Sequence, residues 1–543
     1  MIKVHDNLIV CRDSNTLFAT IVDPIHINAI TTLASNNTDI TIGQMDGGVL
    51  VSIPNNLQSC RLLNNMGIDT TLVTPFVSQN PVLIEGKYKP MAHQTFTASF
   101  VTLNPRCYVL NDPRTGKTGS LIIATDYLQR HKFVKGGFLI ITTLTTIRNV
   151  WQAVINQTLP NDTVKIVHGK DREQALLEPA DYYITNYDSC RLSEPHFIRA
   201  VNEGRIGGII IDELTHVGNS TSKRFKSINN IANKTGLDYV IGLTGSPGMN
   251  PETVFGMCKM INPNALPCTT KTGWLDLITK QYGSLPHQRV VKQDTPEIIK
   301  KTMRPSVRFN KHDILDLPPV VTQDRFCELS KEQIVMREQF RSDYLALTES
   351  GEVITAANGG VLYQKLMQVA QGFVTNNDGK PVYLDHKDRT ATLIDIVEES
   401  ANKVVIFCVY HATISKLSEE LTSRGYAVGV VHGGVTGEKR SQILHDFQNT
   451  DKLTVLICHP VTTAYGVELA AADTMVFNGP PPLGNFIYAQ ALERLSSAKQ
   501  KASSISVIRV MSSPEEVKFF KALDKGQDMG NFINKLFEEF PEI

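Results

Sequence analysis

Apolar and polar residues alternate in blocks along most of the chain. Between residues 86 and 265, short apolar runs alternate with stretches in which apolar residues recur every three or four positions. The runs predict buried strands and the stretches predict helices, and their alternation favours a parallel sheet covered by helices on both faces. Five strands are predicted here: Cys107–Leu110, Phe138–Thr142, Tyr182–Thr185, Gly208–Ile211 and Tyr239–Leu243.

The same alternation returns between residues 386 and 515, where a second sheet is predicted. Its strands are Lys403–Val409, Ala427–His432, Leu453–Cys458 and Thr474–Phe477. The fold class predicted is therefore α/β, with two parallel-sheet lobes. The rest of the chain lacks this alternation of strand and helix patterns. Residues 1–85 are predicted to form a small α+β domain, with strands at Leu8–Cys11 and Val49–Ile53 and a helix at Leu57–Met66. A linker with helical insertions is predicted over 266–385, and a helical tail over 516–543.

Composition narrows the class of protein only slightly. A chain of 543 residues is long enough for about three or four domains. The apolar runs are too short for a transmembrane helix, so no membrane partner is expected. The nine cysteines form no C-x-x-C pair, which favours a reduced cytoplasmic compartment over zinc fingers or disulfides. Lys plus Arg and Asp plus Glu are both 54, so a nucleic-acid surface would have to be local.

The segment VLNDPRTGKT, residues 109–118, lies between a predicted strand and a predicted helix, which is the context of a phosphate-binding P-loop. The backbone of Arg114, Thr115 and Gly116 is expected to surround the phosphates of ATP. Lys117 would neutralise the β and γ oxygens, and the Thr118 hydroxyl would ligate Mg²⁺.

One position of this loop departs from the usual pattern, because Asn111 stands where the first glycine is expected. Asparagine tolerates unusual backbone angles better than most residues. We therefore interpret this departure as one that weakens the match to a P-loop without excluding it.

The second chemical motif is an acidic pair at the end of the predicted strand 208–211. Asp212 and Glu213 would reach the same sheet edge as the P-loop. Phosphoryl transfer to water needs one carboxylate for hydrated Mg²⁺ and one to orient the attacking water. We assign Asp212 to the metal and Glu213 to the water.

These motifs occur in an order that resembles the first motor lobe of superfamily 2 helicases, and more narrowly their SNF2-type branch. The segments in question are YKPMAHQ (88–94), NDPRTGKT, LIITTL (139–144) with Trp151, DELT and LTGSP (243–247). The resemblance implies two RecA-like lobes, with Gln94 reading adenine and Thr143 touching the DNA backbone. It also implies DNA contacts by Lys223 and Arg224, which belong to the basic run after the Asp-Glu pair. Within this branch the chain is most similar to SNF2-like helicases of bacteriophages, which would place it in a bacterial host.

The second lobe carries two further segments that match the family. Thr462 and Thr463 match the segment that holds nucleic-acid phosphates, although a pair of threonines at a helix start is also an ordinary N-cap. QALERLSSAKQ, residues 490–500, matches a motif in which Gln490 and Arg494 fit and the second arginine is replaced by Ser497. By resemblance, Arg494 would reach the γ-phosphate as an arginine finger.

The sequence thus predicts an ATP- and Mg²⁺-dependent motor on duplex or branched DNA, with branch migration or fork remodelling preferred over conventional unwinding. The alternative is an ATP-gated DNA-binding protein with little hydrolysis, because of Ser497. The 1–85 domain could recognise substrate or simply cap the lobe. Five basic residues cluster in the linker: Lys300, Lys301, Arg304, Arg308 and Lys311. They could contact DNA, which is the interpretation we prefer, or form a solvated helical face.

Overall fold

The computed structural model describes most of the chain. The described residues are 2–11, 15–86, 88–234, 236–245, 251–281, 289–314, 317–349, 356–376, 379–400, 402–463, 468–481, 487–488, 491–492, 494–495 and 500–524. By its internal contacts the chain divides into two units, residues 1–314 and 315–543.

The first unit begins with a five-stranded antiparallel sheet, in the order β1-β2-β3-β5-β4. Its strands are β1 Ile2–His5, β2 Leu8–Cys11, β3 Thr16–Ile21, β4 Thr41–Met45 and β5 Gly48–Pro54. Two helices belong to it, α1 Pro24–Ser35 and α2 Leu57–Asn65. The predicted strand at 8–11 and the predicted helix after residue 56 are confirmed. Asn56 starts α2 by accepting a hydrogen bond from Ser59 N at 2.9 Å.

This antiparallel sheet does not have a core of its own. One continuous cluster of buried apolar side chains runs from Leu8 in β2 to Val307, far along the unit. Hydrogen bonds also join residues before 85 to residues after 100. Arg61 Nη2 donates to Thr102 O at 2.7 Å, and Asn80 Nδ2 donates to Ile123 O at 2.9 Å. Residues 1–85, which we call the front segment, are therefore packed as a layer of the first unit.

The centre of the first unit is a seven-stranded parallel sheet. Its order is β14-β6-β11-β10-β7-β9-β8. The strands are β6 Arg106–Val109, β7 Gly137–Thr142, β8 Val164–Ile166, β9 Tyr182–Asn186, β10 Ile206–Ile211, β11 Tyr239–Leu243 and β14 Ser306–Val307, and a separate hairpin joins β12 Thr279–Gln281 to β13 Arg289–Val291. All five strands predicted for this region are confirmed, with shifts of one or two residues at their ends.

Helices cover this sheet and connect its strands, as the alternating pattern predicts. They are α3 Phe76–Gln79, α4 Pro81–Ile84, α5 Ala92–Leu103, α6 Lys117–Arg130, α7 Ala153–Thr158, α8 Tyr187–Leu192, α9 Glu194–Asn202, α10 Lys223–Lys234, α11 Pro251–Ile261, α12 Lys271–Ile278, α13 Thr295–Thr302 and α14 Lys311–Ile314. A π-helical turn, Ile147–Gln152, precedes α7, and short 3-10 turns occur at Gln174–Leu176, Leu214–Val217 and Pro263–Ala265.

The second unit is built on a six-stranded parallel sheet, in the order β15-β22-β21-β18-β20-β19. Its strands are β15 Val320–Phe326, β18 Lys403–Cys408, β19 Val428–Val431, β20 Val455–Cys458, β21 Ala472–Asn478 and β22 Ile505–Met511, and a hairpin joins β16 Phe373–Thr375 to β17 Pro381–Tyr383. The helices are α15 Lys331–Glu349, α16 Ala356–Ala370, α17 Lys387–Glu399, α18 His411–Ser423, α19 Gly437–Asn449, α20 Pro460–Thr463 and α21 Pro514–Asp524. The four strands predicted here are confirmed.

The segment 266–385 contains helices, as its sequence predicts, but it also supplies an edge strand to each parallel sheet. β14 pairs with β6 in the first sheet, and β15 pairs with β22 in the second. The expected helical tail begins with α21, and residues 525–543 lie outside the described residues.

Candidate active site

Three loops of the first unit meet at the carboxyl edge of its parallel sheet. They follow β6, β10 and β11, and β11 lies between the other two strands. Thr244 N donates to Val109 O at 3.1 Å, and a Cβ placed on Gly245 would lie 2.7 Å from Pro113 Cδ. The loop after β11 is therefore packed against the P-loop, and the acidic pair follows the next strand. Ligands of parallel α/β sheets bind at this edge.

The P-loop is shaped by two residues in the left-handed region. Arg114 has a φ of 69° and Gly116 a φ of 77°. A Cβ on Gly116 would lie 1.9 Å from Gln94 Nε2, so this position requires glycine. Gly116 is also the N-cap of α6 and has no side chain to accept from the first N–H groups of the helix. That helix end, 14 residues long, can therefore receive a phosphate as predicted.

Asn111 has a different role from the one its sequence position suggests. Its backbone does not have a positive φ, whereas that of Arg114 does, so the tolerance of asparagine for unusual backbone angles is not used at this position. Its buried side chain forms a bridge instead. Asn111 Nδ2 donates to Thr97 Oγ1 at 2.9 Å, and its Oδ1 accepts from Phe309 N at 3.0 Å. The amide thus links helix α5 to the chain after β14, which a glycine could not do.

Lys117 lies across the loop that precedes it. Its Nζ donates to Asn111 O at 2.8 Å and to Asp112 O at 3.0 Å. Thr115 Oγ1 also donates to Asp112 O, at 2.8 Å. Thr118 follows in the first turn of α6 and is half-buried. The ammonium group and the Thr118 hydroxyl are both at the helix end where phosphate is expected.

Gln94 is buried against the P-loop. Its Oε1 accepts from Met91 N at 2.9 Å at the start of α5, and its Nε2 donates to Thr115 O at 3.3 Å. His93 Nε2 lies 2.8 Å from the same Thr115 carbonyl. Gln94 therefore supports the loop directly, and its contact with adenine stays a prediction.

The carboxylate of Asp212 is held by two side-chain donors. Its Oδ2 accepts from Thr142 Oγ1 and from Trp151 Nε1, both at 2.8 Å. Its Oδ1 has no hydrogen-bond partner among the described residues, and it is the oxygen available to a cation. Trp151 is fully buried, so the group that orients this carboxylate is fixed by packing. The sequence placed Trp151 in the motif series without indicating this bond.

A buried tyrosine fixes the backbone of the acidic pair. Tyr187 OH donates to the carbonyl oxygens of Asp212 and, at 3.1 Å, of Glu213, whose φ is 55°. Burial, and then the two neighbouring carboxylates, raise the pKa of Tyr187 well above its usual value. The phenol therefore keeps its proton and remains a donor. The His216 ring lies 5.2 Å from it between centroids, and burial lowers the pKa of His216.

The predicted magnesium ligands fit the chemistry of that ion. Mg²⁺ commonly takes one or two protein oxygens and fills its other positions with water and substrate phosphate oxygens. Thr118 and Asp212 offer one hydroxyl and one carboxylate oxygen of this kind. The described part of the chain contains no group of three or more His, Cys, Asp or Glu residues that could hold a metal by itself.

The residues predicted to contact DNA in the first unit have different surroundings. Lys223 is exposed at the start of α10. Arg224 lies 5.4 Å from the centroid of the Tyr187 ring, and its Nη2 is 3.2 Å from Asp188 Oδ1. Thr143, half-buried in the loop after β7, has its hydroxyl 2.9 Å from Thr146 Oγ1. Lys223 is thus open to a phosphate, whereas Arg224 also stabilises the turn beneath the acidic pair.

In the second unit, Thr462 and Thr463 lie in α20, directly after β20. That helix begins at Pro460, and Thr462 Oγ1 donates to His459 O at 2.7 Å. Arg494 is buried, and its carbonyl oxygen accepts from Leu469 N at 3.1 Å. Six positions of the last motif lie outside the described residues, Gln490, Glu493 and 496–499, and these include Ser497 and Lys499.

Two family models match the chain. The one described as the SNF2-related domain covers residues 55–371, which is more than half of the chain. The one described as the helicase conserved C-terminal domain covers residues 388–499. With the two parallel sheets, these matches confirm an α/β fold of two RecA-like lobes.

The curated relatives are distant and longer. Identity is 21% over 445 residues with chromodomain-helicase-DNA-binding protein 1 of Gallus gallus, covering 76% of this chain and 24% of that protein. It is 21% over 403 residues with the SWI/SNF-related matrix-associated actin-dependent regulator of chromatin subfamily A-like protein 1 of Xenopus tropicalis, covering 69% and 38%. It is 24% over 449 residues with nuclear protein STH1/NPS1 of Saccharomyces cerevisiae, covering 76% and 32%. The chain spans less than two fifths of the length of each.

Among solved structures, the Sulfolobus solfataricus SWI2/SNF2 ATPase core in complex with dsDNA is 19% identical. The match covers 81% of this chain and 91% of that one, with a TM-score of 0.39. A likeness at this TM-score adds nothing to the family match. Among the helices of the described residues, none is long and apolar enough to cross a bilayer.

Proposed function

Since this chain belongs to the SNF2-related domain family, we propose that it is a DNA-dependent ATPase that moves along duplex DNA. The observation that carries the proposal is the fixed carboxylate of Asp212. It lies at the sheet edge where the P-loop opens, oriented by Thr142 and Trp151. A pre-oriented carboxylate beside a phosphate-binding helix end is the arrangement that nucleotide hydrolysis requires.

Phosphate binding, metal binding and orientation of the attacking water are assigned to different residues of the first unit. The first N–H groups of α6 and the Lys117 ammonium hold the phosphates, and Gln94 supports the loop or contacts the base. Bound Mg²⁺ would neutralise charge on the phosphate oxygens, with Thr118 and Asp212 as its protein ligands. Glu213 orients the attacking water.

The second unit supplies the remaining catalytic groups in this proposal. Arg494 would neutralise charge that develops on the γ-phosphate, and Gln490 belongs to the same motif. Because the motif has Ser497 in place of a second arginine, Arg494 would carry this role alone. We therefore expect slower turnover than a pair of arginines would give.

DNA would be held through its phosphates. The groups proposed for this are Thr143, Lys223 and Arg224 in the first unit and Thr462 and Thr463 in the second. Such contacts carry no base information, so movement should tolerate any sequence and weaken with salt.

The preferred substrate is branched DNA, with branch migration or fork remodelling as the outcome. This proposal, a phage origin and a place in the bacterial cytoplasm rest on the resemblance of the sequence to phage SNF2-like helicases. The second candidate function is an ATP-gated DNA-binding protein that hardly hydrolyses ATP, which the serine at 497 favours.

Steady-state phosphate release separates the two functions. We expect ATP hydrolysis to be stimulated by duplex DNA and more strongly by a four-way junction. Lys117→Ala should lower the stimulated rate by about 100-fold or more, because it removes a charge that stabilises the transition state. A background rate on every DNA, with ATP still bound, would overturn the motor and leave the gated binder.

A further inference from the structure

A cavity of the first unit lies along the outer edge of its parallel sheet. Its volume is about 1210 Å³. Its walls come from both faces of the sheet, because Phe100 of α5 packs against the apolar core on one face and Met303 belongs to the core on the other. Between these walls lie Pro305, Ser306 and Arg308, in and beside the edge strand β14. The cavity is therefore a groove that follows a strand edge.

The strand β14 turns backbone hydrogen-bonding groups toward this groove. The carbonyl oxygens of Pro305 and Val307 accept from N–H groups of the β6 segment, at 3.0 Å and 2.8 Å. Successive residues of a strand point their backbone groups to opposite sides, so the N–H and C=O groups of Ser306 and Arg308 point away from β6. Among the described strands, none pairs with β14 on that side. The edge is open to a further strand.

The margin of the groove is positively charged. The described residues that line it include no Asp or Glu, whereas three of them are exposed cations, Lys300, Arg304 and Arg308. Arg308 Nη2 lies 3.3 Å from Asp112 Oδ1, but Lys300 and Arg304 form no ion pair with any described residue. A partner with negative charge is therefore favoured.

These three cations belong to the basic cluster that the sequence indicates in the linker, and the structure separates them from its other two members. Lys301 is exposed on α13 but does not line the groove. Lys311 is buried, and its backbone N–H donates to Asp112 Oδ2 at 3.1 Å. The cluster is thus not a single row of cations, which is the arrangement that a DNA backbone would contact.

The open strand edge favours a peptide over nucleic-acid phosphates. The outward carbonyl groups of Ser306 and Arg308 need hydrogen-bond donors, and a phosphate diester has none. An extended peptide offers both an N–H donor and a C=O acceptor at every second residue, which is how peptides add to open sheet edges. Its side chains would point alternately to the two faces of the sheet, where the groove has its apolar walls.

We propose that this groove binds an extended acidic peptide, which adds to β14 as a further strand of the first sheet. Apolar side chains of the peptide contact the walls, and its Asp or Glu residues pair with Lys300, Arg304 and Arg308. The proposal does not rest on the proposed motor function, because none of these three cations is assigned to ATP, Mg²⁺ or the attacking water.

The test measures binding of a fluorescein-labelled heptapeptide of alternating Val and Glu to the full chain by fluorescence polarisation. Two neighbouring exposed lysines of α13 form a matched pair, because Lys300 lines the groove and Lys301 does not. We expect Lys300→Glu to weaken peptide binding at least about fivefold and Lys301→Glu at most about twofold. The same peptide with Lys in place of Glu should not bind.

Strand addition is tested at Ser306. Ser306→Pro removes the N–H group that faces the groove and leaves the hydrogen bonds to β6, since proline is tolerated in edge strands at such positions. Ser306→Thr keeps the N–H group and is the control. We expect Ser306→Pro to weaken peptide binding about fivefold and Ser306→Thr less than about twofold. The heptapeptide N-methylated at every residue, which keeps its charge but cannot pair with a strand, should not bind.

Three results would overturn the proposal. The first is the absence of peptide binding at about 1 mM. The second is an equal effect of Lys300→Glu and Lys301→Glu, or equal binding of the N-methylated peptide. The third is a duplex oligonucleotide that displaces the peptide and itself loses affinity in Lys300→Glu, because the groove would then be a DNA contact.

Discussion

The chain has two tryptophans, and both are fully buried in the first unit. Trp151 Nε1 donates to the carboxylate of Asp212 at 2.8 Å, whereas Trp274 Nε1 donates to the backbone oxygen of Pro251 at 2.9 Å. The same type of bond therefore orients the carboxylate that we propose binds the metal in one case, and stabilises only the fold in the other. The pair offers a matched comparison of the two roles.

We expect Trp151→Phe to lower the DNA-stimulated ATPase rate by about 10- to 100-fold, because the Asp212 carboxylate loses a donor that orients it toward the cation. The rate should recover partly at high Mg²⁺. Trp274→Phe should cost similar stability and leave the rate within about twofold. Equal losses of rate in the two variants would contradict the role given to Trp151.

A second residue-scale prediction concerns a carboxylate at the other edge of the first sheet. Burial, with Asp181 and Asp126 nearby, raises the pKa of Asp162 to about 6, although Arg130 lies 3.5 Å away and acts in the opposite direction. Because the folded state holds this proton more tightly than the unfolded state, stability falls as the pH rises from about 4 to about 6, and the loss is complete above pH 6.

Asp162→Asn should therefore raise the free energy of unfolding of the first unit at pH 8. We expect the gain in the free energy of unfolding to be about 1 kcal/mol, because Asp162 is partly solvated. The gain should shrink below pH 6 and vanish near pH 4. Urea denaturation at several pH values measures it, with the exposed Asp171→Asn as control. A gain that is independent of pH would contradict this origin.

Sequence reasoning at the residue scale succeeded where partners are close in the chain. The loop ending in Gly116 and Lys117 is a local pattern, and the structure places it as predicted at the start of a helix. Asn111 could not be interpreted in this way, because its two partners, Thr97 and Phe309, are 14 and 198 residues away. The bond from Trp151 to Asp212 spans 61 residues and was missed for the same reason.

Among the elements, α10 carries two cations in consecutive positions, Lys223, which we propose contacts DNA, and Arg224, which is held by Tyr187 and Asp188. Lys223→Ala should weaken duplex binding and reduce the salt dependence by about one phosphate contact. Arg224→Ala should in addition lower stability by about 1 kcal/mol, because it removes the contact with the Tyr187 ring and the ion pair with Asp188. Binding at several salt concentrations and denaturation of both variants test this. An Arg224→Ala variant of unchanged stability would contradict the structural role given to Arg224.

In the two parallel sheets, the strands that the sequence failed to indicate are β8, β14 and β15, which lie at or near the sheet edges, and the interior strand β22. β14 is two residues long, too short for any periodic signal. β15, VVTQDRF, is mostly exposed and carries polar residues at its centre, so it lacks the apolar run that identifies the buried strands. Of the interior strands, β6, β7, β9, β10 and β11 in the first sheet and β18, β20 and β21 in the second were predicted to within one or two residues. The interior strand β22, ISVIRVM, was missed although it is apolar.

At the scale of the whole molecule, the front segment is best explained as a cap. Residues 1–85 contain three Lys or Arg residues and seven Asp or Glu residues, a balance that does not favour DNA phosphates. One of the three cations, Arg61, donates to Thr102 O and Tyr239 OH within the first unit. We therefore propose capping rather than substrate recognition for this segment.

Removing residues 1–54 should expose part of the shared apolar core. We expect the truncated chain to bind the dye ANS and to aggregate on gel filtration, because the buried faces of β3 and β5 belong to that core. A monomeric, fully active ATPase lacking these residues would contradict the cap.

The central claim is that ATP hydrolysis at the P-loop moves this chain along duplex DNA. The most direct measurement is displacement of a third-strand oligonucleotide from a triplex by the full chain with ATP and Mg²⁺. We predict displacement that requires hydrolysable ATP and is lost in Glu213→Gln, which keeps DNA binding but cannot direct the attacking water. Displacement that persists in Glu213→Gln, or none while the wild-type chain hydrolyses ATP on the same DNA, would contradict the account.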